Sequence, residues 1–535
     1  MFYSQRLSIL AWVKYWGGAL FASLSCYAML WGAYPPRQGP EFAYFFLFPV
    51  LIWFYFRPSL RKTLACLLLA GWIYQIAMVG WMRHVSFGGM VTATFLLSCY
   101  NSVWFLFARA WYAYFTNGSF SLRLLTIVGL SALWVVIEWG RTLFTLGFPW
   151  CPLSASQWQR PVLLQTAYLG GAWTVSFFLV FFNLCLGSYL HHLLVRRKRA
   201  NGFFNRSVCP ELYLGLLLLF FMVYPYFQKR EIMMDNDFKV VRIGVCQPYL
   251  KDKWLEGRAK LHKETLRKQT EFLSIMQPDV IVWPEASTPY PINLDPLWVE
   301  KLAKKTGVPI IAGSVVREEE SSYNVMAYID PVSGLNPEWY AKQILVPFGE
   351  YVPWPFHWIP GLEKFVGAVG NFSEGDRAHV FDIPIGDGNS TSGVRTGLLI
   401  CYEDIFPALS RTAVSQGAEL LIVSTNDAWF EEEGCAQQHA AHSVMRAVEN
   451  NLPIVRCGNA GWSGWIDGNG IIRDVLKDQN DNIYFEGAKV MEVRVPRKDS
   501  SMQYSMGGRF AYFCTFFFIA IALYFRFSKP KDSLN

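Results

Sequence analysis

Three short segments contain residues suited to covalent catalysis, and the first contains a cysteine. Residues 396–401 have the character of a buried strand that ends at Cys401, and Glu403 and Asp404 follow almost directly. A thiolate is a strong nucleophile, but the neighbouring carboxylates raise the pKa of the thiol, so Cys401 needs a base or a nearby cation to react. A cysteine at a strand end is also often purely structural. This segment alone leaves both interpretations open.

The other two segments contain a candidate base and a candidate cation. Residues 279–283 form an apolar run that ends at Pro284, which places Glu285 at the carboxyl end of a strand, where α/β active sites are commonly built. Lys342 and Glu350 lie in a Gly/Pro-containing and otherwise apolar stretch. Taken singly, Glu285 also fits a surface loop. Lys342 also fits a lysine that extends along an apolar surface towards water.

The elements that would position these residues begin with apolar stretches of membrane-spanning length. Seven precede residue 230 and one follows the intervening domain, at 15–34, 43–56, 62–81, 91–115, 122–139, 163–192, 212–228 and 509–527. Most approach the ~20 residues that are needed to cross a bilayer, and a soluble core rarely contains so many. We therefore predict a seven-span bundle over residues 1–230 and a C-terminal transmembrane helix at 509–527.

Residues 238–497 are predicted to form one α/β domain between the last two spans. Short β-rich runs recur at Val240–Cys246, Asp279–Trp283, Pro309–Gly313, Thr396–Cys401, Glu419–Ser424 and Pro453–Arg456. Polar helical stretches, notably Arg258–Ile275 and Gln437–Asn451, separate several of these runs. A segment of about 260 residues is long enough for one sheet-based core.

The charge distribution changes at the same boundary. Residues 1–230 contain 18 Lys and Arg against three acidic residues, whereas the remainder contains 30 against 38. The net charge of +7 therefore combines a basic membrane half with a mildly acidic domain, and it does not indicate nucleic-acid binding. With the N-terminus inside, the cytoplasmic segments hold 14 Lys and Arg and the opposite short loops hold four. This bias places the α/β domain outside the cytoplasm.

The sequence contains no pattern typical of a metal or cofactor site. The 11 cysteines are scattered and include no C-x-x-C pair, so neither a zinc site nor a disulfide framework is supported. No phosphate-binding glycine loop or nicotinamide-binding motif is found. We therefore expect catalysis without a metal or a cofactor.

Taken together, the three segments resemble the nitrilase superfamily, whose Glu–Lys–Cys triad occurs in this order on three strand ends of an α-β-β-α sandwich. Within it, the surrounding sequence is similar to the apolipoprotein N-acyltransferase family over nearly the whole chain. The motifs that carry this resemblance are residues 345–353 (LVPFGEYVP), 401–403 (CYE), 424–430 (STNDAWF), 438–439 (QH) and 446–449 (RAVE), and in the membrane half Arg141, residues 147–150 (GFPW) and Gln157. The chain departs from the family at residues 431–435 (EEEGC) and 459–461 (NAG), at the rim of the acceptor site.

The resemblance implies a two-step transfer of a fatty acyl chain through a thioester on Cys401. The donor is a membrane phospholipid, and the acceptor is the α-amine of the lipidated N-terminal cysteine of a diacylated apolipoprotein. Glu285 would act as general base and acid, while Lys342 and the backbone N–H of Tyr402 would stabilise the oxyanion. The implied location is a bacterial inner membrane with the catalytic domain in the periplasm, and we expect a monomer surrounded by membrane lipids.

Supporting roles are implied for two further carboxylates. Glu350 would orient Lys342 and the substrate carbonyl, and Glu403 would position the neighbouring loop unless it is a solvated surface acid. Glu138 and Arg141 lie near hydrocarbon at the end of a predicted span, which favours a functional role, although an ion pair with a packing role fits equally.

Five aromatic residues are candidates for contact with lipid or substrate: Phe148, Trp150, Trp354, Trp358 and Trp429. Phe148 and Trp150 would line an acyl-chain channel or belong to the interfacial aromatic belt. Residues 354–370 are too apolar for an exposed soluble loop, so we interpret them as an arm that gates lipid entry. A core-packed insertion is the alternative for this stretch.

Two other functions are compatible with parts of the sequence. A membrane-anchored nitrilase-type amidase would use the same triad and resolve the acyl-enzyme with water, but it would have no use for eight spans and an apolar arm. A transporter or scaffold with an inactive domain is expected to have lost Glu285, Lys342 or Cys401, and this chain contains all three.

Overall fold

Long apolar helices make up the first part of the chain and its C-terminal part. This computed structural model describes residues 2–143, 147–199, 208–234, 238–251, 257–354, 358, 372–386, 393–497 and 508–528. Within these residues, six segments are long and apolar enough to cross a membrane, namely Leu60–His84, Phe87–Ala110, Phe120–Leu143, Ala172–Arg196, Pro210–Phe227 and Gly508–Phe527. The chain is therefore a multi-pass membrane protein.

The first two predicted spans take other forms. The stretch predicted at 15–34 belongs to a helix of 32 residues, Phe2–Ala33, whose side chains are described from Trp16 onward. The stretch predicted at 43–56 forms a shorter apolar segment, Pro40–Phe54. At 1.5 Å per residue this segment is too short for a straight crossing of about 30 Å.

The helix predicted at 163–192 begins later than expected. It starts at Ala172 because Gly171 adopts a φ of +76°, which interrupts the helical path. The short helices Pro161–Leu164 and Ala167–Gly170 precede this break. The stretch 163–192 is mostly apolar and contains no charged residue, which is why the pattern alone suggested a single helix.

We number the helices of more than five residues in chain order: α1 (Phe2–Ala33), α2 (Phe48–Phe54), α3 (Leu60–Val79), α4 (Phe87–Ala110), α5 (Tyr112–Asn117), α6 (Phe120–Leu143), α7 (Ala172–His191), α8 (Pro210–Met234), α9 (Ala259–Ser274), α10 (Leu297–Thr306), α11 (Pro407–Ser415), α12 (Cys435–Asn450) and α13 (Gly508–Phe527). Short 3₁₀ turns lie at Pro40–Tyr44, Gly80–His84, Leu153–Gln157, Cys401–Ile405 and Asp427–Phe430.

Two six-stranded mixed sheets form the centre of the second domain. The strands are β1 (Phe238–Gln247), β2 (Val280–Trp283), β3 (Ile310–Glu318), β4 (Ser321–Asp330), β5 (Gly334–Ala341), β6 (Val380–Pro384), β7 (Gly393–Ile400), β8 (Leu420–Thr425), β9 (Ile454–Gly458), β10 (Gly464–Ile466), β11 (Ile472–Val475) and β12 (Gly487–Pro496). Their orders are β12-β1-β2-β3-β4-β5 and β11-β10-β9-β8-β7-β6. Strands β1, β2 and β3 are parallel, as are β7, β8 and β9.

The two sheets pack face to face, and helices cover their outer faces. Apolar side chains such as Val282 and Leu398 fill the space between the sheets. Leu266 of α9 and Leu302 of α10 pack on the outer face of the first sheet, whereas α11 and α12 cover the second sheet. This arrangement confirms the predicted α-β-β-α sandwich.

Helix α12 also joins the sandwich to the membrane bundle. The indole N–H groups of Trp81 and Trp150 both donate to Oε1 of Gln438, at 3.1 and 2.8 Å. Near the other end of α12, Oε1 of Glu449 accepts a 2.6 Å hydrogen bond from the backbone N–H of Ala172. The same helix therefore packs against the second sheet on one side and the bundle on the other.

Candidate active site

The three predicted catalytic residues directly follow strands of the sandwich. Glu285 lies two residues after β2, Lys342 follows β5, and Cys401 follows β7. The two sheets are in contact at this edge, since the hydroxyl of Ser424 in β8 donates to the carbonyl of Trp283 in β2 at 3.3 Å. Strand ends from both sheets thus bring the three side chains into one site.

Lys342 is fully buried between two carboxylates. Its Nζ donates to Oε1 of Glu285 at 3.1 Å and to Oε1 of Glu350 at 3.0 Å, and the lysine is 1% exposed. Burial alone would lower the pKa of Lys342, but the two carboxylates reverse this effect and raise the pKa well above its usual value. The site therefore contains a fixed positive charge, and the interpretation of Lys342 as a lysine extending towards water is wrong.

Asn324 on β4 completes this group and was not identified from the sequence. Its Nδ2 donates to Oε1 of Glu285 at 2.8 Å and to Oε1 of Glu350 at 3.0 Å. Its main-chain carbonyl oxygen accepts a 2.8 Å hydrogen bond from the backbone N–H of Lys342. Asn324 thus holds both carboxylates in place against the lysine.

Cys401 lies at a sharp turn beside this charged group. It adopts a φ of +51°, in the left-handed region, which is unfavourable for a residue other than glycine. Burial and the carboxylate of Glu285 raise the pKa of the Cys401 thiol well above its usual value, whereas Lys342 lowers it. The thiol is therefore neutral at rest, so it needs a base to become a nucleophile, and Glu285 is adjacent.

Glu403 is buried directly behind the turn, so the alternative of a solvated surface acid is wrong. It is 0% exposed. It accepts hydrogen bonds from the backbone N–H groups of Gln343 and Ile400 at 2.6 and 2.7 Å and from the hydroxyl of Tyr340 at 2.7 Å. Burial raises the pKa of Glu403 to about 7 despite these donors. Glu403 therefore fastens the segment around Lys342 to the turn that contains Cys401.

On the thioester mechanism that the sequence resemblance implies, we expect Glu403→Gln to slow formation of the acyl-enzyme by about 10–100-fold. The glutamine NH₂ group would face one set of the N–H and O–H donors that now bind the Glu403 carboxylate. Those donors would lose their acceptor, and a buried unpaired donor costs about 1–3 kcal/mol. The rate of the first half-reaction and the melting temperature measure the effect. Tyr340→Phe removes only one of the donors and is expected to cause a smaller loss. A Glu403→Gln protein with the wild-type rate would contradict this role.

The membrane-half motif at residues 147–150 packs against the turn that begins at Cys401. The hydroxyl of Tyr402 donates to the carbonyl of Gly147 at 2.7 Å. The ring of Phe148 stacks on that of Tyr402, with centroids 6.4 Å apart, and on that of Trp150 at 5.8 Å. The backbone of the bundle thus contacts the residue next to the nucleophile.

Buried contacts hold this motif in place. They involve Trp150 of the motif itself and two charged residues of α6, Glu138 and Arg141. Trp150 is only 4% exposed, and its indole N–H bonds to Gln438 as described above, which gives it a packing role in this structure. Oε1 of Glu138 accepts hydrogen bonds from the indole N–H of Trp134 and the backbone N–H of Leu153, both at 2.7 Å. Arg141 donates to the carbonyl of Trp150. Both charged groups therefore fix the segment after α6.

The remaining aromatic candidates are exposed. Trp354 and Trp358 have exposed fractions of 71% and 70%, and Trp429 has 42%. The rings of Trp354 and Trp358 are perpendicular to each other, with centroids 6.2 Å apart. Residues 355–357 and 359–370 of the predicted arm lie outside the described residues.

The acidic run at residues 431–433 contacts two other segments, the loop after β1 and the segment between α3 and α4. Glu431 pairs with Lys251 at 2.8 Å, and Glu432 accepts a 2.7 Å hydrogen bond from the hydroxyl of Tyr249. Glu433 lies 2.9 Å from Nε2 of His84 in the loop between α3 and α4. This departure from the family pattern therefore ties the rim of the sandwich to the bundle.

One group of side chains in the described part of the chain has metal-ligand chemistry. Ligand-type atoms of Cys401, Asp427 and His439 lie within 4.8 Å of one another. However, Nδ1 of His439 lies 2.8 Å from Asp427 and Nε2 lies 2.9 Å from Asp404. Because Nδ1 faces Asp427, and Nε2 faces both Asp404 and the carbonyl of Cys401, the group is built as an ion-pair and hydrogen-bond network.

Comparisons with known proteins match both parts of the chain. The family model for the apolipoprotein N-acyltransferase N-terminal domain matches residues 28–185, and the carbon-nitrogen hydrolase model matches residues 242–508. A relative named apolipoprotein N-acyltransferase from Brucella melitensis is 30% identical over 505 residues, which cover 86% of this chain and 88% of the relative.

Further relatives with the same name align over shorter regions. The protein from Geobacter metallireducens is 29% identical over 360 residues, and this chain spans 65% of its length. Apolipoprotein N-acyltransferase 1 from Treponema denticola is 27% identical, with 77% of this chain and 78% of the relative covered. Among solved structures, an amidase from Nesterenkonia sp. matches 47% of this chain and 90% of its own, with 17% identity and a TM-score of 0.35.

Proposed function

This chain belongs to the apolipoprotein N-acyltransferase family, and on that premise we propose that it N-acylates diacylated apolipoproteins with a fatty acid from a membrane phospholipid. The observation that carries the proposal is the buried Glu285–Lys342–Glu350 group beside Cys401. A fixed cation, an adjacent carboxylate and a thiol are the three functions that acyl transfer through a thioester requires.

In the first half-reaction, Cys401 takes the acyl chain from the donor. Glu285 accepts the thiol proton, and the thiolate attacks the ester carbonyl of the phospholipid. Lys342 and the backbone N–H of Tyr402 stabilise the resulting oxyanion, each such donor being worth about 10²–10³ in rate. When the intermediate collapses, the C–O bond breaks, and Glu285 returns its proton to the lysophospholipid alkoxide.

In the second half-reaction, the acceptor amine replaces the cysteine sulfur. Glu285 removes a proton from the α-ammonium group of the lipidated N-terminal cysteine, and the free amine attacks the thioester. Glu285 releases this first proton to solvent and takes the surplus proton from the attacking nitrogen. The same oxyanion donors act again, the C–S bond breaks, and Glu285 passes the second proton to the Cys401 thiolate. Because the first product leaves before the second substrate reacts, the kinetics are ping-pong.

The membrane half gives both lipid substrates access to the thiol. We assign a membrane bundle to residues 1–230, in which Pro40–Phe54 is the short second of the seven predicted segments. The catalytic domain is assigned to residues 238–497 and an anchoring helix to residues 509–527. In this proposal the domain lies on the periplasmic side of a bacterial inner membrane, and the protein acts as a monomer. The stacking of Phe148 on Tyr402 supports a lipid-contact role for Phe148.

The exposed indoles are proposed to contact lipid at the entrance. Trp354 and Trp358 have exposed fractions of 71% and 70%, and tryptophans with exposed rings are typical of membrane–water interfaces. Residues 354–370 would then form the arm that admits lipid, and Trp429 would line the acceptor side.

An assay with both lipids separates transfer from hydrolysis. The full chain in vesicles is supplied with phospholipid and a diacylated lipopeptide, and we expect N-acylated lipopeptide and lysophospholipid in equal amounts. The matched control is the same lipopeptide with an acetylated α-amine, which is expected to give no transfer product. Release of free fatty acid without N-acylated product would favour the amidase-type alternative and overturn the proposal.

A further inference from the structure

A buried histidine on α12 lies directly behind the nucleophile. His439 is 2% exposed, and its Nε2 lies 3.1 Å from the carbonyl oxygen of Cys401 and 2.9 Å from Oδ1 of Asp404. Its Nδ1 lies 2.8 Å from Oδ1 of Asp427. These partners are all acceptors, so both ring nitrogens must donate, and the ring is an imidazolium. Burial would lower the pKa of His439, but Asp404 and Asp427 reverse this effect and raise it to about 9.

The histidine belongs to a buried cluster whose charges cancel. Arg456 pairs with Asp404, and its Nη2 lies 3.9 Å from Oδ2 of Asp427. Two carboxylates are thus balanced by one imidazolium and one guanidinium, and all four residues are at most 2% exposed. Removing one charge from such a cluster leaves a buried charge without compensation, which is strongly unfavourable.

The bond from His439 acts on the peptide that contains the proposed oxyanion donor. The carbonyl of Cys401 and the N–H of Tyr402 belong to one planar trans peptide, so they point in opposite directions. A charged donor on the carbonyl fixes the plane of this peptide and polarises its N–H group. The positive φ of Cys401 makes outside support for this turn necessary.

We propose that His439 is a positioning residue for acyl transfer, an inference that rests on the function proposed above. As a protonated imidazolium, it fixes and polarises the Cys401–Tyr402 peptide, and its charge offsets that of Asp427 beside the Cys401 thiol. It does not touch the substrate and does not exchange protons during the reaction.

Other charged and titratable groups also face this cluster or the thiol, so the test must isolate the charge of His439. They are Glu285 and Lys342 at the strand ends, Tyr402 next to the thiol, Cys435, His442 and Arg446 on α12, and Tyr484 after β11. His442 is one helical turn from His439, and its Nε2 accepts the backbone N–H of Cys151 at 3.2 Å. Burial lowers the pKa of His442 well below its usual value, so it is neutral and provides a matched control.

The test is the pH dependence of alkylation of Cys401 by iodoacetamide, followed by mass spectrometry on the peptide that contains this residue. We expect His439→Gln to raise the midpoint by about one pH unit, a tenfold slower reaction at a fixed lower pH, because Asp427 loses its compensating charge. The double variant His439→Gln/Asp427→Asn is expected to return to within about half a unit of the wild type. Asp427→Asn alone is expected to lower the midpoint.

His442→Gln is expected to leave the midpoint unchanged, because it removes no charge. An unchanged midpoint in His439→Gln, or a double variant shifted as far as the single variant, would overturn the inference. If His439→Gln does not fold, Asp427→Asn alone tests the inference. An unchanged or higher alkylation midpoint in Asp427→Asn would show that the charge of Asp427 does not act on the Cys401 thiol. The assay needs no lipid, so it is independent of the transfer assay.

In that transfer assay, His439→Gln is expected to lower kcat for acyl-enzyme formation about tenfold or more with little change in KM, since an oxyanion donor acts in the transition state. A changed KM with the wild-type kcat would contradict a positioning role.

Discussion

Replacing Cys401 by alanine is expected to abolish the acyl-enzyme and, with it, all transfer to the acceptor. The thiol is the only part of the proposed mechanism that forms a bond to the acyl chain, so no neighbouring group replaces it. A loss of at least about 10³-fold is expected, since removal of a covalent nucleophile leaves only binding and oxyanion stabilisation. Intact mass spectrometry after incubation with phospholipid measures the adduct directly.

Cys435→Ala is the matched control for this experiment. Cys435 is a buried cysteine at the start of α12, and its thiol is close enough to interact electrostatically with that of Cys401. It has no part in the mechanism, so this variant should form the acyl-enzyme at close to the wild-type rate. An adduct on Cys401→Ala, or continued N-acylation by it, would refute the nucleophile assignment.

The ends of the strands that precede Glu285 and Cys401 could be predicted, because each end is indicated by residues that are adjacent in the sequence. A run of apolar residues that stops at Pro284, or directly before Cys401, indicates a buried strand and its end without any knowledge of the rest of the chain. The observed strands β2 and β7 end at Trp283 and Ile400. Because β2 and β7 belong to different sheets, the packing of the two sheets against each other brings these ends together.

Glu350 and Glu403 were expected to have supporting roles, but the contacts of Asn324 and His439 were not predictable, because they join residues that are distant in sequence. Asn324 is 39 positions from Glu285, and its strand contains several polar residues that resemble it in type. His439 belongs to a motif that the resemblance singled out, but its bond to Cys401 spans 38 positions. A single sequence gives no signal for such pairings.

The strands that the sequence analysis missed are mostly edge strands. Strands β5, β6, β11 and β12 lie at the edges of the two sheets, where one side of the backbone is unpaired and a continuous apolar run is not needed. Strand β5 even contains Pro337, which a central strand would not tolerate. Strand β12 pairs with β1 across nearly the whole of the domain sequence, so its partner is not evident locally.

The bounds of some predicted spans were wrong because hydropathy does not show whether an apolar segment is one continuous helix. Gly171 has a positive φ and divides the stretch 163–192, but glycines are common in transmembrane helices, so Gly170 and Gly171 did not by themselves indicate a break. The hydropathy pattern thus located the membrane-embedded residues better than it located the helix ends.

Lys342→Met is expected to reduce acyl-enzyme formation by about 10²–10³-fold or more, because it removes the charged oxyanion donor. It also leaves the carboxylates of Glu285 and Glu350 facing each other, since both Oε1 atoms lie within 3.1 Å of Nζ in the native site. Two such carboxylates do not both stay ionised, so the variant should also have a lower melting temperature near neutral pH.

The double variant Lys342→Met/Glu350→Gln separates these two effects. It removes one positive and one negative charge, so the melting temperature is expected to recover towards the wild-type value. The rate is not expected to recover, because the oxyanion still lacks its cation. Recovery of the rate together with stability would show that Lys342 only neutralises the carboxylates, and the electrostatic role assigned to it in the transition state would then be wrong.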